Sequence, residues 1–188
     1  FYTDVLHISP AKIVMLILVA RLWDAVNDPI WGAFIDSRKP TKHGRFRPYI
    51  FWFSIPLAVS AVLMFTVIPG LSEAKYLLFA YITYIFYGMM YTAVNIPYGS
   101  LASVVTDDEK ERSSLSMWRS IGAGLGGLPG TILLPMLVYT TTISADGTKI
   151  QMLNGTKLTL GVLILAVLSV AVYFGHYKLT KERINPPA

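Results

Sequence analysis

The chain has 188 residues, of which 54% are hydrophobic and only 14% are charged, and its mean hydropathy is +0.53. Because soluble domains carry about 25% charged residues, this composition excludes an ordinary soluble domain and indicates a membrane protein. The formal net charge is +5, and the absence of cysteine excludes a disulfide framework and a thiolate metal site.

Five apolar stretches are long enough to cross a bilayer, whose hydrocarbon core requires about 20 helical residues. We therefore expect an all-α membrane protein with five transmembrane helices. These helices are predicted at approximately 11–35, 49–69, 76–96, 116–139 and 158–176.

Basic residues concentrate between the first two helices, between the third and fourth, and after the fifth. They are Arg38, Lys39, Lys42, Arg45, Arg47, Lys110, Arg112, Lys178, Lys181 and Arg183. Since cytoplasmic loops carry an excess of Lys and Arg, we expect these segments in the cytoplasm and the first residue outside. The opening stretch FYTDVLHISP has no basic leader, so we expect a fragment that lacks a preceding helix. The positive charge then reflects loops near anionic lipid, and no nucleic-acid partner is expected.

The stretch RLWDAVNDP places charges inside the first predicted helix. Arg21, Asp24 and Asp28 share one helix face, and Asn27 lies beside it. Burying such charges costs at least about 2.5–3.5 kcal/mol each, so they should face a bundle interior or a cavity. Carboxylate and amide oxygens are the hard ligands that a small cation prefers. We therefore expect a cation site, and a charge-compensated packing network without a ligand is the alternative.

The segment GAFIDSRKPTKHGRFRP resembles the loop signature between the second and third helices of the major facilitator superfamily. Together with FYTDVLHIS, ARLWDAVNDPIWGAFID, NIPYGSLASVVTDDEKERSSLSMWRSIGAGLGG and TKERI, it is similar to the glycoside–pentoside–hexuronide:cation symporters, the family of the melibiose permease. The resemblance covers nearly the whole chain, and its blocks occur in the right order.

The resemblance implies a twelve-helix transporter of two six-helix halves, located in the bacterial cytoplasmic membrane. Residues 1–188 would form part of the first half, helices two to six, without its first helix. The implied activity is symport of a sugar with a proton or sodium, without covalent chemistry or a cofactor. The implied partners are the sugar, the coupling cation, the lipid bilayer, and the missing first helix and C-terminal half. A fragment of this kind is not expected to transport alone.

The resemblance also assigns roles to individual residues. It implies cation binding, with no metal other than sodium, by Asp24, Asn27, Asp28 and Thr92. It implies substrate binding by Arg21, Tyr91, Asn95 and Arg119. A latch that breaks on inward opening would include Asp36, Arg38 and Arg45. The chain departs from the melibiose permease at Asn95, which replaces an aspartate, and at Gly99, which replaces a tryptophan.

Two other functions remain open on the sequence alone. A transporter of lipids or other amphiphiles would share the same scaffold. A non-transporting membrane sensor or assembly subunit would use the charged face structurally.

Overall fold

The computed structural model describes residues 1–143 and 149–184, and it is dominated by helices. The elements in chain order are α1 (Pro10–Ser37), α2 (Arg47–Met64), α3 (Glu73–Ser100), α4 (Ala102–Val105), α5 (Glu109–Leu128), a π-helical turn (Pro129–Leu133), α6 (Leu134–Val138), β1 (Tyr139–Ile143), β2 (Lys149–Leu153) and α7 (Gly155–Leu179). The strands form an antiparallel hairpin that pairs Tyr139 with Leu153.

Among the described residues, four helical segments are long and apolar enough to cross a membrane. They are Arg47–Met64, Glu73–Val105, Glu109–Val138 and Gly155–Leu179. Helix α1 has 28 residues, the same length as α3, but Arg21, Asp24 and Asp28 interrupt its apolar character. The fold therefore confirms the predicted all-α membrane protein, apart from the short hairpin between α6 and α7.

The second helix ends at Met64, before the position 69 predicted from hydropathy. The residues that follow Met64 are apolar but not helical. The ring of Phe65 packs near the start of the chain, 5.3 Å from the ring of Phe1. Ile68 precedes a proline, which disfavours helical backbone, and Gly70 has a positive φ of 82°. Apolar composition thus continues beyond the point at which the helix stops.

Helix α3 is the central element of the bundle. It packs against α1 on one side and α2 on another, and α2 also packs against α7. A hydrophobic core between α1, α2 and α3 includes the buried side chains of Ile35, Ile50 and Val94. By contrast, none of the side chains of α5, all of which the structure describes, is buried. The packing of α1 against α3 therefore positions the charged face of α1.

Candidate cation and substrate site

A cavity of about 130 Å³ lies where the charged face of α1 meets α3. Arg21, Asp24 and Asp28 contribute from α1. The wall from α3 is formed by Gly88, Tyr91, Thr92, Asn95 and Ile96. The structure thus brings together six of the eight residues that the sequence assigns to cation and substrate binding.

Asp28 is joined to α3 by a hydrogen bond between side chains. Thr92 donates from Oγ1 to Oδ1 of Asp28 over 2.8 Å. Thr92 is buried and leaves only 6% of its surface exposed. Since a hydrogen bond to a charged group is stronger than one between neutral groups, this contact fixes the Asp28 carboxylate against α3.

Asp24 is paired within its own helix. Its Oδ2 lies 3.6 Å from Nη1 of Arg21, three residues earlier. The Arg21 side chain is 72% exposed and that of Asp24 only 28%. Because one partner is solvent-exposed, the pair contributes little to stability, but it partly compensates the charge of the carboxylate.

Gly88 allows the Asp24 carboxylate to approach α3. A methyl group built on Gly88 would lie 3.2 Å from Oδ1 of Asp24, closer than an ordinary van der Waals contact. Gly88 also lies one turn before Thr92, so the two residues share a face of α3. Sequence reasoning missed Gly88, because a single glycine in an apolar helix carries no sign of what it faces.

The composition of the cavity suits a small cation. Its polar atoms include carboxylate, hydroxyl and amide oxygens, the ligands that hard cations prefer. Counted by formal charge over the described lining residues, the carboxylates of Asp24 and Asp28 outnumber the guanidinium of Arg21 by one negative charge. A monovalent cation or a proton would neutralise that charge.

Asn27 does not line this cavity. It is 5% exposed and belongs to the buried residues of α1 with Leu16, Ala20 and Ile35. Within the part of the chain that the structure describes, its Nδ2 atom has no hydrogen-bond partner. Its membership of the cation site stays a prediction.

Arg119 lies outside the cavity wall, on α5. Its Cζ atom is 4.7 Å from the centroid of the Tyr98 ring, and its Nη1 is 3.5 Å from where a Cβ at Gly99 would be. Gly99 is one helical turn beyond Asn95, on the same face of α3. The guanidinium therefore lies near the end of the cavity-lining face.

The residues of the predicted latch meet at the end of the bundle formed by the α1–α2 loop, α4 and the segment 180–184, which we call the basic end. Arg45 is buried and donates from Nη2 to the carbonyl oxygen of Asp36 at 2.9 Å. It also donates from Nε to the carbonyl oxygen of Arg38 at 3.4 Å, so it caps the last carbonyls of α1. Among residues 1–143 and 149–184, no side-chain ion pair joins these three residues.

Glu182 completes the basic end, and sequence reasoning missed it. Its Oε2 accepts the backbone N–H of Arg45 at 2.6 Å, and its Oε1 accepts those of Phe46 and Arg47 at 2.8 Å each. Gly44 has a positive φ of 104°, and a Cβ atom at this residue would overlap the Glu182 carboxylate. The unpaired N–H groups at a helix N-terminus stabilise a carboxylate. We call Glu182, Gly44 and the backbone N–H groups of residues 45–47 the Glu182 clasp.

Comparison with known proteins places the chain in a family. The MFS/sugar transport protein family matches residues 1–185. The isoprimeverose transporter of Lactiplantibacillus pentosus is 40% identical over 189 residues, which cover 98% of this chain and 37% of that protein. A putative glycoside/cation symporter of Escherichia coli (strain K12) is 37% identical over 97% of this chain and 38% of its own length.

A more distant relative is the sodium-dependent lysophosphatidylcholine symporter 1-A of Danio rerio, 33% identical over 73% of this chain and 26% of that protein. The chain spans 37% of the isoprimeverose transporter and 38% of the putative glycoside/cation symporter. This partial coverage agrees with part of a twelve-helix fold.

The helical architecture and the family match make the chain a multi-pass integral protein of the bacterial cytoplasmic membrane. The family consists of transporters, as the sequence predicted, and its members here are named as symporters and carriers. The chain belongs to the MFS/sugar transport protein family and, within the major facilitator superfamily, to the glycoside–pentoside–hexuronide:cation symporters.

Proposed function

We propose that the full-length protein takes up a glycoside, pentoside or hexuronide together with a proton or a sodium ion. The observation that carries this proposal is the cavity between α1 and α3, in which two carboxylates of a membrane helix meet a hydroxyl group and an amide of its neighbour. Charge at this depth is costly unless it is paired or used. The family supports the assignment to coupled transport.

The coupling cation is held by Asp24, Asp28 and Thr92, which line the cavity, and by Asn27, which is buried on the same helix as the two carboxylates. The uncompensated negative charge of the cavity favours one monovalent cation or a proton. Sodium would bind through oxygens of these groups, whereas a proton would bind to one carboxylate. Either ion would neutralise the negative charge of the cavity. Uptake measured with sodium and proton gradients varied independently distinguishes the two.

The substrate lies next to the cation, against Tyr91, Asn95, Arg21 and Arg119. Tyr91 is 47% exposed and offers an aromatic face of the kind on which sugar rings stack. Asn95 provides both a donor and acceptors for hydroxyl groups. Arg21 and Arg119 contribute guanidinium groups that donate to hydroxyl or carboxylate oxygens.

Coupling follows from the shared site. A cation that stabilises the substrate-accepting conformation by about 1–3 kcal/mol raises substrate affinity, and substrate raises cation affinity by the same factor. The two halves of the whole transporter then rock about the central site. Asp36, Arg38 and Arg45 contribute to the latch at the basic end that opens on the inward side.

Transport of an amphiphile is the second candidate function. It is favoured by the relative named as a sodium-dependent lysophosphatidylcholine symporter. Both candidates use the α1 carboxylates for a cation, and they differ in the substrate that occupies the space beside Tyr91.

The test is uptake by the full-length protein reconstituted into lipid vesicles. Radiolabelled xylosides, galactosides and glucuronides are compared with labelled lysophosphatidylcholine, each with and without an inward cation gradient. Accumulation of at least one sugar above equilibrium only with the gradient supports the proposal. Gradient-driven uptake of the lysolipid alone would favour the second candidate, and no gradient-driven uptake of any substrate would favour a non-transporting role.

A further inference from the structure

We propose that Tyr98 and Gly99 form a seat for the Arg119 guanidinium and thereby help to set substrate affinity. The Arg119 seat is defined by the face of the Tyr98 ring and the space left by the absent side chain of Gly99. This inference rests on the proposed role of Arg119 in substrate binding. Tyr98 and Gly99 are positioning residues in this account, because they act through Arg119.

Among the described residues, the Arg119 side chain contacts a helix other than its own. In the described part of the chain, α5 buries none of its side chains, and its contacts are mainly with α4 and the π-helical turn, which adjoin it in sequence. The Arg119 side chain nevertheless reaches α3, where its Cζ lies 4.7 Å from the Tyr98 ring centroid. The surface of α3 therefore contributes to the position of the guanidinium.

Tyr98 provides a firm surface for this contact. Its ring packs against the hydrophobic core that contains Leu101 and Val104. On α7, the His176 ring lies 5.3 Å from the Tyr98 ring at an angle of 63°. Support from this core and from His176 on α7 holds the Tyr98 ring in one orientation, so the guanidinium that lies over it is held as well.

Gly99 provides the space beside that ring. A methyl group at residue 99 would lie 3.5 Å from Nη1 of Arg119, an ordinary van der Waals contact. Alanine is therefore accommodated, whereas a leucine would extend into the volume that the guanidinium occupies. Since Gly99 follows Asn95 by one turn, this volume adjoins the face of α3 that lines the cavity.

A guanidinium seated in this way is suited to bind oxygen atoms. The contact with the ring face uses the positive charge of the group, and its N–H donors form hydrogen bonds with oxygen acceptors. Within residues 1–143 and 149–184, no carboxylate lies within ion-pair distance of Arg119. The seat thus fixes where these donors meet a sugar hydroxyl or carboxylate.

The test is a double-mutant cycle in the full-length protein, with the KM for sugar and the cation concentration for half-maximal uptake measured in vesicles. Tyr98→Leu should raise the KM for sugar about three- to ten-fold and leave the cation requirement unchanged. Tyr98→Phe, which keeps the ring, should behave like the wild type. In an Arg119→Ala background, Tyr98→Leu should have no further effect on KM.

Gly99 supplies an independent arm. Gly99→Ala should leave the KM for sugar unchanged, and Gly99→Leu should raise it as Tyr98→Leu does. If Tyr98→Leu does not reach the membrane, Gly99→Leu replaces it in both the wild-type and the Arg119→Ala background. The proposed role of the Arg119 seat would be wrong if KM rose equally with and without Arg119, or if neither Tyr98→Leu nor Gly99→Leu raised it. Gradient-driven sugar uptake by the wild type would persist in either case. Failure of the proposed function is distinct, because the wild-type protein would then show no such uptake.

Discussion

Thr92 on α3 donates a hydrogen bond of 2.8 Å to the Asp28 carboxylate on α1. The same contact joins two helices of the bundle and fixes one of the two acidic groups in the cavity between them. Helix packing and the candidate cation site therefore depend on each other. A cation that binds at Asp28 would act directly on the interface between α1 and α3, so its binding would change how these two helices pack.

Thr92→Val is expected to weaken cation activation. The substitution keeps the shape of the side chain and removes the donor to Asp28, a bond to a charged group that contributes about 1.5–3 kcal/mol. We predict a several-fold higher cation concentration for half-maximal uptake and a lower thermal unfolding temperature. Thr92→Ser keeps the hydroxyl and is the matched control; identical cation activation curves for the Val and Ser variants would contradict the role of this bond.

Bulk at residue 88 is expected to displace the Asp24 carboxylate. A methyl group there lies 3.2 Å from Oδ1, so Gly88→Ala should reduce gradient-driven uptake and Gly88→Val should abolish it. Gly175 has no neighbour within 4 Å of a Cβ in the described residues, and its Ala and Val variants serve as controls. Normal uptake by Gly88→Val at normal protein levels would show that Asp24 does not need this approach to α3.

Loss of the Glu182 clasp is expected to release the segment after α7. Glu182→Gln replaces a carboxylate that accepts three N–H bonds, and the lost charge-assisted bonds should lower stability by about 1–3 kcal/mol. In the full-length protein, trypsin applied to the basic end should then cut after Lys181 and Arg183 about ten-fold faster or more. Glu109→Gln is the control at an exposed glutamate, and equal cleavage rates in the two variants would argue against the clasp.

The orientation of the chain is predicted from its basic segments and can be measured with introduced cysteines. The 188-residue chain has no cysteine of its own, and Lys42 and Ser72 are both exposed at opposite ends of α2. In intact cells, a membrane-impermeant thiol reagent should label Ser72→Cys and not Lys42→Cys. The reverse pattern would place the basic end outside.

The features that the sequence predicts well are those set by local rules. The apolar runs give the long helices because a bilayer demands both length and hydropathy. The spacing of Arg21, Asp24 and Asp28 gives their common face because helical geometry is regular. These inferences need no knowledge of which helices pack together.

The features that the sequence does not predict depend on contacts between distant segments. Glu182 meets Arg45 across 137 residues, and the approach of Asp24 to Gly88 depends on how α1 lies on α3. Asn27 shows the same limit, since helical geometry puts it beside the charged face, while in the structure it is buried and does not line the cavity.

The most direct test of the cation site is sugar uptake by full-length wild type, Asp24→Asn and Asp28→Asn with sodium and proton gradients varied independently. The wild type should accumulate sugar with one of the two gradients. Either substitution removes the uncompensated negative charge of the cavity, so accumulation should be abolished under both gradients while passive sugar exchange survives. Accumulation at the wild-type level by both variants under the same gradient would contradict the assignment of Asp24 and Asp28 to the coupling cation.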